Sequence, residues 1–493
     1  MRMGSCLADG SGAAPVARQV TILGLGLFGG GVGAARYFAE RGARVIVTDL
    51  RDASALAESL EALRDLDIHY RLGGHSPGDF AGSDLVVVNP AVPPSAPALE
   101  MARAASARLT TEINLLFDLS PAPILAVTGT HGKSTTTALL AEILRQSGKK
   151  VWVGGNLGGS LLSETDVMRP EDIVVIEISS FQCERLAWIR RSPHGAAVLN
   201  LTPNHLDRHA DMREYAAAKQ ELLRYQMARD FALLNGEDPI VREWGQIGMG
   251  HKIFYGAPFE ASCGARLEND RVLVWRDGSR AAFSLASLRL PGTHNRFNAA
   301  CAGTMAWWMG CDPDVIERAI GHFAGLPDRL ELILERDGIR FYNDSLATTP
   351  ESAIAALEAV SPPVVLIAGG SSKRHSFDGF AATIVKRCKA VCLVGDTAPE
   401  IAGALAKHPG PPPFRIFDRF DEAVREAARI AAPGDTVLLS PACASFDRFR
   451  NYRERGRAFA QIVRALSADG PPRSGLVGGS PPTARASTMK GPL

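Results

Sequence analysis

No apolar run in this 493-residue chain reaches the roughly 18 to 20 residues that a bilayer-crossing helix needs, so the sequence predicts no membrane span. Neither sign of charge is in excess: 54 Lys and Arg stand against 53 Asp and Glu, a formal net charge of +1. That excludes a broad basic field holding nucleic acid or an anionic membrane by counterion release, and any anionic ligand must be held locally. The eight cysteines are scattered, and Cys388 and Cys392, the nearest pair, have neither redox Cys-x-x-Cys nor metal-ligand spacing. They read as reduced, packed thiols of a cytoplasmic protein. The first 17 residues lack a basic start followed by a sustained apolar stretch, so no export signal is expected.

What is present is material for large cores. Hydrophobic residues make up 46% and charged residues 22%, a soluble globular profile, and the length suits about three domains. Strand-like apolar runs recur at VTIL, ARVIVTD, ILAVTG, DIVVIEIS, HGAAVLNL, VVLIAGG, AVCLVGD and DTVLLSP, most of them separated by helical patterns. This alternation predicts an α/β protein built on parallel sheets. Compositional breaks near residues 107–112 and 325–329 divide it into expected domains at 18–112, 113–326 and 327–466. Residues 1–17 and the Pro-, Gly- and Ser-rich residues 467–493 read as disordered tails.

Residues 124–140, ILAVTGTHGKSTTTALL, place an apolar strand, a glycine turn and a helix in succession. Such a junction aims backbone N–H groups and the positive end of a helix dipole at one point. Gly129 and Gly132 permit the tight path, Lys133 can reach terminal phosphates and Ser134 offers a hydroxyl to Mg2+. Only Thr130 and His131 separate the glycines, fewer than in the usual phosphate loop, so a plain structural turn is the alternative. DIVVIEISSFQCE brings Glu177 to a strand end, followed by Ser179, Ser180 and Gln182. The carboxylate can join Ser134 on Mg2+, or the cluster can simply cap a helix. Further on, Asp211 and Glu214 form a capping-box pattern that starts a helix near Met212 and puts Tyr215 and Lys219 on one face. By itself Lys219 reads as solvated helix surface, and His205 as either a metal ligand or a satisfied loop histidine. Gly24, Gly26 and Gly29 in GLGLFG, with Asp49 about twenty residues on, form the dinucleotide fingerprint, so an NAD-dependent dehydrogenase stays open on these residues.

GTHGKST, EISSFQ, LNLTPNHLDRH followed by YAAAK, LPGTHNRFN, GLPDRLE, NDSLATT and LLSPACASFDRF occur in the order found in the Mur ligases. From about residue 20 to residue 466 the chain resembles the glutamate-adding branch of that family, whose own phosphate loop is this short one. The resemblance implies a Rossmann-like N-terminal domain for a UDP-sugar, a central P-loop ATPase domain and a Rossmann-like C-terminal domain for an amino acid. It implies ATP-dependent addition of glutamate, D-glutamate ahead of L-glutamate, to UDP-N-acetylmuramoyl-L-alanine (UDP-MurNAc-L-Ala) through an acyl phosphate, in peptidoglycan precursor synthesis. Another Mur-type or folylpolyglutamate ligase is the alternative within the class. Only small-molecule substrates are expected, with a monomer in the cytoplasm.

Carried over motif by motif, Gly129, Thr130, His131, Gly132, Lys133, Ser134 and Thr135 would hold ATP. His294, Asn295 and Asn298 would lie on its adenine side, and Arg329 and Asp344 would close over it. Lys133, Glu177, His205 and Lys219 are the expected catalytic set. Ser134 and Glu177 would bind one Mg2+, and His205 and a carbamylated Lys219 a second. Leu25, Gly26, Leu27, Phe28 and Gly29 would approach the diphosphate of the UDP-sugar, with Asp49, Leu50, Arg51 and Gly73 near the uridine. Asn156, Ser179 and Gln182 would face the same substrate near the reacting carboxylate. Thr348, Lys373, Ser445, Phe446 and Tyr452 would form the glutamate pocket. One departure stands out: D-glutamate enzymes read Asp-Ser-Lys-Ala-Thr-Asn where this chain has Leu346 after Ser345. A cation is missing there, Arg374 is a candidate replacement, and a branch of the family using L-glutamate departs in the same loop. Locally, Thr349 can cap a helix with Pro350 and Glu351 in its first turn.

Overall fold

The computed structural model describes residues 17–26, 29–204, 208–256, 262–371 and 376–468. They form a three-domain α/β fold with mainly parallel sheets, in two compact units that divide between Leu326 and Pro327.

In the first unit, a five-stranded parallel sheet has the spatial order Ile68–Leu72, Arg44–Asp49, Gln19–Leu23, Leu85–Val88, Arg108–Thr110. Strand order reverses direction beside Gln19–Leu23, and such a switch point opens a crevice at the strands' carboxyl ends. Gly24, Leu25 and Gly26 leave the sheet there. The second sheet of this unit has nine strands, with Gly195–Val198, Ile124–Thr128, Ile173–Glu177 and Val151–Gly155 side by side and parallel. Ile124–Thr128 is buried at every position, which is why it reads as an unbroken apolar run rather than an alternating one. Its position sends three polar turns out beside one another: residues 129–132, 178–182 and 199–204.

The far side of this sheet departs from the parallel pattern. Cys263–Glu268, Arg271–Arg276 and Ser279–Ser284 form antiparallel hairpins. Their turns use Asn269 (φ 49°) and Asp277 with Gly278 (φ 47° and 85°), the left-handed conformations that a tight hairpin needs. One continuous apolar cluster, including Val20, Ile22, Val45, Ile124, Ala126 and Val174, runs through both sheets.

The second unit carries a six-stranded sheet in the order Glu331–Arg336, Ile339–Asn343, Thr436–Leu439, Val364–Ala368, Cys388–Val394, Phe414–Phe417, with only the first pair antiparallel. The helix Pro350–Ala359 starts as expected, with Thr349 Oγ1 accepting from the Ser352 N–H. No described helix is long and apolar enough to cross a membrane.

Candidate functional site

The strand Ile124–Thr128 breaks at Gly129 (φ 152°) and re-enters order at the helix Lys133–Gln146, whose N-cap is Gly132 (φ 82°). The N-cap is a glycine and so brings no side chain of its own to the helix start, where the first-turn N–H groups point out of the turn. A Cβ on Gly132 would stand 2.3 Å from Asn298 Oδ1, so any larger residue there has to push the asparagine amide aside. The turn is clamped by Asn200. Its Oδ1 accepts from the Thr130 and His131 N–H groups (3.1 and 2.8 Å), and its Nδ2 donates to the His131 carbonyl (3.1 Å). Lys133 Nζ donates to the Thr130 carbonyl (3.0 Å), which keeps the amine over its own turn.

Beneath the turn lies Lys219. Asp211 Oδ1 accepts from the N–H groups of Arg213 and Glu214 (2.8 and 2.9 Å) and starts the helix Met212–Arg224 where the capping pattern put it. Tyr215 and Lys219, one turn apart, both point inward. Lys219 is 1% exposed, which corrects its bland assignment to solvated surface. Its Nζ donates to Thr128 Oγ1 and to the Gly129 carbonyl (both 3.1 Å) and lies 4.9 Å from the centre of the Tyr215 ring. Tyr215 Oη is 3.2 Å from Thr130 Oγ1, so one helix supports the glycine turn at two points. Burial pushes the Lys219 ammonium down to about 7, with the Lys133 charge adding to the effect.

Glu177 ends its strand at 6% exposure. Past it, Ser179 and Gln182 form a reciprocal capping box on the short helix Ser180–Cys183, with Gln182 Oε1 accepting from the Ser179 N–H (2.9 Å). Both side chains are therefore engaged with each other. Asn156 is exposed, and its N–H donates to the Glu177 carbonyl (3.0 Å). His205 lies outside the described residues. Among those that are described, no group of three or more His, Cys, Asp and Glu side chains comes together as a metal site. The sequence reading missed Asn200 and His209. His209 is 1% exposed, its Nε2 pairs with Ser180 Oγ (3.0 Å), its ring packs on Phe181 and Tyr215, and its Nδ1 has no hydrogen-bond partner.

The helix Thr293–Trp308 brings Asn298 to the glycine turn. Asn298 Nδ2 donates to Asn295 Oδ1 (3.1 Å), and Asn295 Nδ2 to the Pro291 carbonyl (2.7 Å), while His294 is exposed at the helix start.

At the first sheet, Asp49 does something the fingerprint does not suggest. Its Oδ2 accepts from the N–H groups of Leu25 (2.9 Å) and Gly26 (3.3 Å), and its Oδ1 from that of Arg51 (2.9 Å). The carboxylate thus braces the glycine turn from behind. Gly73 donates its N–H to the Arg51 carbonyl (3.0 Å), which brings those two segments together, and Leu50 stands out at 71% exposure. Gly29 (φ 87°) is the uncapped start of the helix Gly30–Glu40. Leu27 and Phe28 are outside the described residues.

In the second unit, Arg329 sits between Asp328 and Leu330, both in left-handed conformations (φ 62° and 43°). Asp344 secures that bend: its Oδ1 accepts from the Leu330 N–H (3.2 Å) and its Oδ2 from Ser440 Oγ (2.8 Å). Burial raises its carboxyl to about 7. Ser445 is buried, Phe446 is 70% exposed with its N–H donating to Ser371 Oγ (3.2 Å), and Thr348 and Tyr452 are half-buried. Lys373 and Arg374 lie outside the described residues.

Against known proteins, residues 18–111 match the family described as Mur ligase MurD-like, N-terminal domain. Residues 127–306 match the Mur ligase middle domain, and residues 328–443 the Mur ligase, glutamate ligase domain. The chain is 43% identical to the UDP-N-acetylmuramoylalanine--D-glutamate ligase of Roseiflexus sp. (strain RS-1), over 91% of this chain and 99% of that protein. It is 40% identical to the protein of that name from Symbiobacterium thermophilum, over 91% and 98%. Among solved structures, UDP-N-acetylmuramate-alanine ligase from Thermotoga maritima has a TM-score of 0.56 at 19% identity, covering 92% of this chain and all of that one. The MurF ligase of the same organism, in complex with ADP, gives 0.53 at 15%, covering 86% and 96%.

Proposed function

The chain belongs to the Mur ligase family, and on that premise we propose that it is an ATP-dependent ligase adding D-glutamate to UDP-MurNAc-L-Ala in peptidoglycan precursor synthesis. The observation that carries this reading is the glycine-capped helix start at Lys133, its turn clamped by Asn200 from one side and Lys219 buried beneath it. The rival dehydrogenase reading leaves the glycine turn of residues 129–132 and the buried Lys219 beneath it without a role.

Residues 129–135 suit ATP because they combine a glycine turn at a helix start, a lysine and the hydroxyls of Thr130, Ser134 and Thr135. Ser134 and Glu177 suit one Mg2+ by hard-oxygen chemistry, and His205 with a carbamylated Lys219 a second. Bound ATP would supply the phosphoryl group that activates the L-alanyl carboxylate as an acyl phosphate, with ADP leaving, Mg2+ would offset the phosphate charge, and the glutamate amine would then displace phosphate. Lys133 offsets phosphate charge and holds the chain's own turn through Thr130. Lys219 suits carbamylation because burial favours the uncharged amine, the form that attacks CO2, and because its helix fixes Nζ at Gly129. His294, Asn295 and Asn298 are assigned to the adenine side of the nucleotide, and Arg329 and Asp344 are carried over as ATP-binding residues by their motifs. The crevice at Leu25, Gly26, Leu27, Phe28 and Gly29 takes the diphosphate, Asp49, Leu50, Arg51 and Gly73 the uridine side, and Asn156, Ser179 and Gln182 the reacting end. Glutamate is assigned to Thr348, Lys373, Ser445, Phe446 and Tyr452. The corresponding domains are 18–112, 113–326 and 327–466. All these groups belong to one chain, so the reading requires only a monomer acting on small cytoplasmic substrates.

The decisive assay is phosphate release dependent on UDP-MurNAc-L-Ala, run with each glutamate enantiomer. Turnover with D-glutamate is expected. Turnover only with L-glutamate would assign the chain to the L-glutamate-adding variant, which Leu346 in the Asp344 loop recommends as second reading. Turnover with UDP-MurNAc and L-alanine would overturn the assignment.

A further inference from the structure

Arg455, which no motif singled out, is 3% exposed in the second unit. Its Nε donates to Ser345 Oγ (3.0 Å), its Nη2 to the carbonyls of Ser345 (2.9 Å) and Cys443 (3.1 Å), and its Nη1 to the carbonyl of Ala444 (3.2 Å). A Cβ on Gly370 would come within 3.1 Å of the same Nη1. Ser345, Cys443 with Ala444, and Gly370 lie on the loops leaving the carboxyl ends of Ile339–Asn343, Thr436–Leu439 and Val364–Ala368, three neighbouring parallel strands. In open α/β sheets that edge is where ligands bind. The first of these loops carries Thr348 and the second Ser445 and Phe446.

A buried guanidinium ordinarily faces a carboxylate, because an unpaired charge costs several kcal/mol to remove from water. Here four of its five N–H groups go to neutral oxygens, and Asp328, Asp344 and Asp447 favour its charge only from beyond hydrogen-bond reach. A fixed positive charge therefore stands behind the loop in which Leu346 replaces a lysine. We propose that Arg455 is the positioning residue of the amino-acid site, stapling two loops into one register and supplying the positive field that draws the carboxylates of glutamate. This rests on the ligase reading above.

Steady-state KM values for D-glutamate, UDP-MurNAc-L-Ala and ATP in Arg455→Met and Arg455→Lys test it. Arg455→Met should raise the glutamate KM about 30-fold or more, with the other two within twofold. Arg455→Lys, which keeps the charge but loses the fork, should recover part of that loss. An unchanged glutamate KM in Arg455→Met, or an equal rise in all three, would overturn the proposal. Should the Arg455 variants fail to fold, Ser345→Ala removes the Oγ that accepts from Arg455 Nε and donates to the Tyr452 carbonyl (2.8 Å), leaves the other three Arg455 bonds in place, and should raise the glutamate KM about threefold. A glutamate KM at the wild-type value in that variant would overturn it too. Wild-type protein inert toward glutamate would instead overturn the ligase reading itself, which separates the two failures.

Discussion

Gly132→Ala puts the phosphate turn under a defined load. At φ 82° an alanine takes on about 1–2 kcal/mol of left-handed strain. Its Cβ would also stand 2.3 Å from Asn298 Oδ1 and 3.1 Å from Nδ2, so the amide has to turn away. Turning breaks the 3.1 Å hydrogen bond from Nδ2 to Asn295, worth about 1 kcal/mol. Together these come to about 2–3 kcal/mol, which at about 1.4 kcal/mol per tenfold corresponds to roughly a 30- to 150-fold effect. Because the strain sits where the first-turn N–H groups are aimed, it should appear in the KM for ATP, with the KM for UDP-MurNAc-L-Ala changing less than threefold. Phosphate-release kinetics at varied ATP, with a thermal melt of the same sample, measure both. A variant that melts like wild type and keeps its KM for ATP within threefold would refute the idea that the tight Gly132–Asn298 approach shapes the nucleotide site.

Lys219→Ala should lower kcat at least about 100-fold, and acetate or formate should restore part of it by replacing carbamate oxygens; wild-type kcat would return Lys219 to a packing role. Asp49→Asn puts an NH2 group against backbone donors and forfeits charge-assisted bonds, so the KM for UDP-MurNAc-L-Ala should rise about 10- to 100-fold with the KM for ATP constant. Equal values for the two variants of substrate affinity, mutant and wild type, would show that the turn needs no brace. Burial raises the Glu112 carboxyl from 4.5 to about 7, although Ser160 Oγ donates to it at 2.7 Å. The folded chain then binds that proton more tightly than the unfolded chain, so its stabilising effect is complete below pH 4.5 and is lost as pH rises to about 7. Glu112→Gln should accordingly melt higher than wild type at pH 8 and close to it at pH 4.5, and melting curves at both pH values check this. A variant that melts lower at pH 8 would reverse the sign.

The central strands were legible because burial on both faces leaves runs such as ILAVTG without polar interruptions, and helix starts were legible at Asp211 and Thr349 because capping is local chemistry. The hairpins over residues 263–284 were not: CGARLE and RVLVWR mix charge into half-exposed strands, although Asp277-Gly278 was a turn signal. Site residues fared by the range of their partners. Gly132 and Lys133 belong to one short stretch. Lys219 looks like any lysine on a polar helix until Thr128 and Gly129, far back in the chain, are placed beside it. Asn200 sits between two leucines at a strand end, and its clamp exists only once residues 130 and 131 fold over it. Arg455 is one arginine among several in FDRFRNYRERGR, and nothing local distinguishes it from exposed Arg450, Arg453 and Arg457. Asp49 was found as an acid near a glycine turn, but its backbone partners were visible only in three dimensions.

The packed cysteines also have a practical side. All seven described ones are free and buried, and burial pushes Cys183 and Cys443 up to about 11 and Cys301, Cys388 and Cys392 to about 12. Almost no thiolate exists there at neutral pH, and alkylating reagents need both thiolate and access. In a Cys6→Ser background, a single cysteine introduced at exposed Leu50 or Phe446 would outcompete every interior thiol for a maleimide dye. Fluorescent reporters can thus be installed at the proposed uridine-side and glutamate-side residues with the interior sulfur atoms left in place.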